Sequence, residues 1–266
     1  MTSIDDRFAH LVDLHGRTFA ARNLSAQTSR ELGIRILRGI TPPGATLPQE
    51  PELAKELGVS RTVVREAIKI LSAKGFVLVR PRLGTRVRER WHWQILDRDV
   101  LEWQQAVSFD RVRLIQLTEM RRAVEPAAAS LAALRRTAEE VEELRATLSH
   151  MEGEVEEPGE FAGADARFHF TVLKAAHNEF FDALESAIFT GVVASIHVTN
   201  RYPADNPHSL PFHLNVFSAI EAGDADGASR AMAVLLEDAE RRLDAAFARG
   251  EVEAATAIGE EERTVR

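Results

Sequence analysis

Apolar residues fall at helical spacing in two short stretches separated by a glycine. Leu53, Ala54 and Leu57 make the first stripe; Val63, Val64, Ala67, Ile68 and Leu71 make the second. Gly58 follows the first stripe, where a left-handed cap favours glycine. Ser60 precedes the second, at the N-cap position. The period then shortens: Phe76–Val79 and Thr85–Val87 are β-like runs on either side of Pro81-Arg82-Leu83-Gly84. Helix, tight turn, capped helix and hairpin predict a winged helix-turn-helix. Such a unit places the N-terminal end of its second helix against base edges in the major groove.

Upstream, residues 26–39 predict the first helix of this head, with Leu32, Ile36 and Ile40 near one face. Thr41-Pro42-Pro43-Gly44 closes it, because proline cannot continue a helix. Residues 1–24 show no clear period and read as a loose arm. Residues 91–107 read as a linker within a connector that starts at 89. The connector holds all three tryptophans, Trp91, Trp93 and Trp103, expected as anchors packing head against body. From 108 to 250 the pattern is helical: 110–136, 138–151, 160–177, 180–200, 212–222 and 226–249. The breaks are an acidic loop at 153–159, a proline-bearing loop at 201–211 and Gly223-Asp224. Strand patterns are missing there, so six helices must bury their stripes on one another as an all-α antiparallel bundle. Residues 251–266 are acidic, lack an apolar stripe and read as a disordered tail. The fold class is therefore mainly α, a winged head at 25–90 followed by a helical body.

Charge sharpens this division. The chain of 266 residues carries a net −8, an odd balance for a nucleic-acid binder. Residues 25–90 hold 13 Lys/Arg against 6 Asp/Glu, whereas residues 91–266 hold 17 against 32. A basic head on an acidic body confines nucleic-acid affinity to the head. The candidate contacts are Ser60, Arg61, Thr62 and Arg65 on the second helix and Arg82, Gly84 and Thr85 on the wing. Arg61 and Arg65 are four apart on one face, and arginine there bonds guanine O6 and N7 in a bidentate way. Arg80, Arg86 and Arg88 flank the wing. Arg35 and Arg38 read as a solvated face. Cysteine is absent, which excludes disulfides, zinc fingers and thiol catalysis and fits a reducing cytoplasm. No apolar run approaches the ~18 residues that span a membrane, and no signal peptide is evident.

In the body, Asp165 and His169 are four apart on a helical pattern, so they share a face. His213 lies on a later helix. One carboxylate and two imidazoles suit a divalent metal: zinc first, with nickel or manganese as alternatives. A lone histidine of this kind is more often a bonded core residue, and that alternative stays open. Arg121 lies in a helix otherwise apolar inward; its fork suits the carboxylate of a small effector. An internal ion pair with Glu119 or Glu125 is the competing reading. Thr199, Asn200 and Arg201 are weaker effector candidates. His150, His177, His197 and His208 have no partner legible in the sequence. The same metal set describes a metal-dependent enzyme with a 2-His-1-carboxylate site, and a third reading is a DNA-binding dimer without an effector.

Residues 25–90 resemble the DNA-binding head of the GntR superfamily of bacterial regulators. The marks are Pro43-Gly44, Leu47-Pro48, Glu52-Leu53-Ala54, Gly58-Val59-Ser60-Arg61, Val64-Arg65-Glu66-Ala67 and Gly84-Thr85 before Val87. The resemblance implies DNA contacts at Arg61, Arg65 and Gly84; Pro51 stands where many relatives carry a basic or small polar residue. Trp93-Gln94-Ile95-Leu96-Asp97-Arg98-Asp99-Val100-Leu101-Glu102-Trp103 resembles the linker of the FadR subfamily, and of its sugar-acid repressors, galactonate-type regulators among them. Residues 112–247 resemble that subfamily's FCD ligand-binding domain through Glu119-x-Arg121, Glu125, Asp165-x-x-x-His169, Asn178 and His213 before Ala219-Ile220. That family implies a cytoplasmic homodimeric repressor on a palindromic operator in double-stranded DNA, released by a small carboxylate effector. Many members hold a metal through one aspartate and three histidines. Asp165, His169 and His213 match three of these; Leu235 stands at the fourth position, so either the effector or water completes the shell or the site has lost its metal.

Overall fold

The computed structural model describes residues 24–80, 82–107, 111–153, 158–199 and 207–249. The expected arm and tail lie outside the described residues, apart from Leu24, which opens the first helix. Two compact units divide near residue 108. Among the described residues, no helix is long and apolar enough to cross a membrane.

The head begins with α1 (Leu24–Leu37), α2 (Glu50–Leu57) and α3 (Arg61–Ala73). Gly58 caps α2 at φ 66°, and the Ser60 side chain accepts from the Val63 amide at 3.3 Å to start α3. Both local signals therefore act as the sequence predicts. Val64, Ala67, Ile68 and Leu71 of α3 are buried against α1 and α2. Ile40 is not part of that stripe: α1 ends at Leu37, and Ile40 is exposed. Strands β1 (Val77–Arg80) and β2 (Gly84–Val87) pair antiparallel, Val77 with Val87 and Arg80 with Gly84. Arg82 (φ 65°) and Gly84 (φ 86°) adopt left-handed backbone to close the wing.

The connector departs from the expectation of a linker between units. Trp93 stacks on Phe76 at 4.5 Å and 10°, and its indole N–H donates to the Arg88 carbonyl at 3.0 Å. Helix α4 (Arg98–Gln105), capped by Asp97, presses Trp103 edge-on to the same Phe76. Lys74 bonds Asp97 at 2.5 Å and Asp99 at 2.8 Å. The aromatic trio closes the head's own core, each ring pair adding about 0.5–1.5 kcal/mol beyond the area it buries. Gly75 must be glycine: its φ is 79°, and a Cβ would stand 2.0 Å from the His92 carbonyl oxygen. Trp91, the third tryptophan, is exposed.

The body contains α5 (Arg111–Arg135), α6 (Ala138–Gly153), α7 (Pro158–Ala175), α8 (Glu179–Asp182), α9 (Glu185–Thr199), α10 (Leu210–Ala222) and α11 (Ala225–Ala248). The predicted helix at 180–200 is interrupted: Asn178 caps the short α8, and Leu184 precedes a separate α9. α5 packs along α11, α7 packs on α5, α6 and α9, and α10 rests against α11. Phe161, Phe168, Leu144 and Met151 fill the centre. The inward stripe of α5 runs Leu114, Thr118, Arg121, Glu125, Ala128 and Ala132, so an ion pair interrupts an apolar seam.

Candidate nucleic-acid interface and metal centre

In the head, the N-terminal end of α3 presents Ser60, Arg61, Thr62 and Arg65, all exposed; on the wing, Arg82 and Gly84 are exposed and Thr85 is half-buried. The free amides of a helix start favour phosphate. One wing flank is already engaged, since Arg86 donates to the Gly44 carbonyl at 2.7 Å; Arg35, read as part of a solvated face, pairs with Glu31 and Glu56. Arg65 is not idle either. Its Nη2 lies 2.9 Å from Glu50 Oε2, and its Nε donates to the same carboxylate.

In the body, α7 supplies Asp165 and His169 from one face, and α10 brings His213 to meet them. One potential ligand atom from each lies within 4.8 Å of the others, and all three side chains are buried. Asp165 Oδ1 is 3.3 Å from His169 Nε2, and Asp165 Oδ2 is 3.5 Å from His213 Nε2. His213 Nδ1 donates to the Ser209 carbonyl at 2.9 Å, so in the neutral ring Nε2 is the acceptor. That Nε2 is buried without a hydrogen-bond partner among the described residues. A buried acceptor left unmatched costs about 1–3 kcal/mol, so an orphan of this kind asks for a ligand.

The second histidine is held from behind. His169 Nδ1 bonds Glu125, whose other oxygen takes Arg121 Nε at 2.6 Å. Arg121 Nη2 reaches His169 Nε2 at 3.2 Å. Gly191 on α9 makes room for this arginine: a Cβ there would stand 3.0 Å from Arg121 Cδ. Burial opposes ionising Glu125, but Arg121 and His169 outweigh it and hold its pKa down at about 2. Burial likewise opposes Asp165, and His213 and His169 override it, so its carboxyl stays well below the usual range. For His169, burial lowers the pKa and Arg121 lowers it further; Glu125 and Asp165 dominate and raise it.

The donor set of two nitrogens and one oxygen, with an orphaned imidazole nitrogen among them, fits a divalent metal. The three residues border a cavity of about 30 Å³, room for a water or an ion and not for a sugar acid. Leu235, Asp238 and Arg242 of α11 line it as well. Arg121 makes the ion pair of the competing reading, with Glu125, and also lines the cavity. Thr199 is in the wall, and its carbonyl accepts from Arg242 at 3.1 Å; Asn200 and Arg201 lie outside the described residues. Sequence reasoning missed Ser209, Asp238 and Arg242. Ser209 was legible as the i−4 carbonyl of His213; Asp238, which takes His208 at 3.3 Å, had no local signal. His177 also has a partner, Glu140 at 3.0 Å.

Residues 24–87 match the model of bacterial regulatory proteins of the gntR family, and residues 116–238 match the FCD domain. The galactonate operon transcriptional repressor of Escherichia coli K12 is 33% identical over 213 residues, covering 80% of this chain and 93% of the repressor. The uncharacterised HTH-type regulator YieP of the same organism is 34% identical over 226 residues, covering 84% and 96%. The solved structure of Lar, which controls the agr system of Listeria monocytogenes, superposes with a TM-score of 0.61. It is 21% identical and covers 84% of this chain and 97% of its own.

Proposed function

The chain belongs to the GntR family of bacterial regulatory proteins, with an FCD domain following its DNA-binding head, and on that premise we propose a metal-assisted repressor released by a small carboxylate effector. It is a transcription regulator; the family is not one of enzymes, so the 2-His-1-carboxylate enzyme reading is set aside. The proposal adds a homodimer on a palindromic operator, contacted by Ser60, Arg61, Thr62, Arg65, Arg82, Gly84 and Thr85. A two-fold protein with one recognition helix per chain suits a two-fold site.

The observation that carries the effector reading is the convergence of Asp165, His169 and His213 around an orphaned nitrogen. These three would hold the ion, zinc by preference. Charge supports it. The cavity is lined by Arg121 and Arg242 against Asp165 and Asp238, two cations facing two anions. A divalent ion would add the positive charge that draws a carboxylate. Arg121 then offers its remaining N–H groups to the effector, a hydroxy or sugar acid as in the galactonate repressor's name. The cavity is too small for such a molecule, so admission requires the helices around it to separate. That separation is where differential affinity for two arrangements arises.

The test is reciprocal linkage. Operator binding by metal-loaded protein is measured with a panel of sugar and hydroxy acids, and effector binding with and without operator. Both must weaken by one common factor. Operator affinity indifferent to every acid in the panel sinks the effector reading. The rival, a DNA-binding dimer whose body binds nothing, has Leu235 at a ligand position in its favour; stoichiometric metal in purified protein removes it.

A further inference from the structure

Glu50 is the first residue of α2, and Arg65 lies on the second turn of α3, the helix offered to the major groove. Both oxygens of Glu50 engage the arginine: Nη2 donates at 2.9 Å, and Nε donates at 3.2 and 3.3 Å. The bond joins the two helices of the helix-turn-helix, so the guanidinium is fixed to the scaffold instead of depending on its own rotamers. Pro51 sits in the first turn of α2, where its fixed φ suits the start of a helix. Arg65 is the larger of two influences that keep the Glu50 carboxyl below its usual range; Arg61 adds to it.

An exposed ion pair adds little to fold stability, so stability does not account for this one. Its geometry has another consequence. Glu50 uses the side of the guanidinium formed by Nε and Nη2. The Nη1 group and the second N–H of Nη2 remain, two parallel donors of the kind that guanine O6 and N7 accept. The paired carboxylate also cancels the charge that would draw Arg65 to phosphate. A phosphate must displace or approach Glu50; a neutral base edge need not.

We infer that Glu50 is a positioning residue for DNA readout: it aims Arg65 at base edges and withholds it from the phosphate backbone. The inference rests on the DNA-binding reading of the head.

The test uses the full chain with Glu50→Ala and Glu50→Gln, each alone and combined with Arg65→Ala. Binding to a selected operator duplex and to random duplex is measured across a salt series. Glu50→Ala should raise random-duplex affinity, steepen its log–log salt slope by about one unit, and cut discrimination at least several-fold. Glu50→Gln keeps the side-chain bulk at the start of α2 while losing the charge, and should change the slope in the same direction. In the Arg65→Ala background neither substitution should alter discrimination. Equal shifts on both duplexes with discrimination preserved would make Glu50 a plain surface charge and overturn the inference. A loss of discrimination that persists without Arg65 overturns it too. Unsubstituted protein unable to tell operator from random duplex would remove both this inference and the reading beneath it.

Discussion

The guanidinium of Arg121 donates from Nη2 to His169 Nε2 at 3.2 Å, on the lone pair that a metal would require. Arginine cannot give up its proton, so in this contact a neutral His169 accepts at Nε2 and donates from Nδ1 to Glu125; Asp165, 3.3 Å from the same Nε2, favours a proton there instead. Arg121 and a metal therefore compete for one nitrogen, and loading the metal frees Nη2 towards the cavity.

Arg121→Gln should accordingly tighten zinc. Losing a charged hydrogen bond of about 1.5–3 kcal/mol from the competing state predicts a gain of about tenfold or more. Competition calorimetry against a chelator reads it. Weaker zinc in the variant means that Arg121 does not oppose the metal.

His169→Ala and His213→Ala should both abolish metal binding but differ in stability. His169 satisfies Glu125 and Arg121, whereas His213 Nε2 makes no hydrogen bond among the described residues. The His169 variant should lose at least about 1 kcal/mol more, the cost of orphaning a buried partner. Denaturant melts of metal-free protein compare them; equal losses contradict the network.

Leu235→His restores a third imidazole at the cavity wall. Replacing a buried leucine should lower the stability of metal-free protein by about 1–3 kcal/mol. Zinc should return it, since a ligand that binds only the folded state stabilises it. Thermal melts with and without zinc decide; the same zinc shift in variant and wild type would place residue 235 outside the shell.

Gly33→Ala should destabilise the head. Its Cβ would stand 2.4 Å from the Trp103 ring, itself locked against Phe76. Helix propensity gains up to about 1 kcal/mol from alanine; overpacking costs about 1–3 kcal/mol. Overpacking wins because the indole has nowhere to move, and a lowered melting temperature of the full chain is expected. An unchanged or raised one would show that Trp103 yields.

Arg82→Ala should weaken operator and random DNA alike and reduce the log–log salt slope by about one unit, as for one lost phosphate contact. A changed sequence preference at an unchanged slope would make Arg82 a reader of bases.

What the sequence determined by itself lies within short range along the chain. Gly58 ends one helix and Ser60 begins the next because a cap is settled by neighbouring dihedrals and one side-chain bond. Asp165 and His169 share a face, and Arg121 and Glu125 share another, because four residues make about one turn. Only the tertiary structure decided which faces meet. His213 reaches Asp165 across a helix pair, Asp238 joins the cavity from α11, and Glu50 finds Arg65 fifteen positions away. The tryptophans show the limit plainly: their size marked them as anchors, yet the partner of Trp93 and Trp103 is Phe76 within the head. Periodicity states that a surface must be buried. The surface it is buried against follows from how all the stripes and side-chain volumes fit together at once, and no local window contains that information.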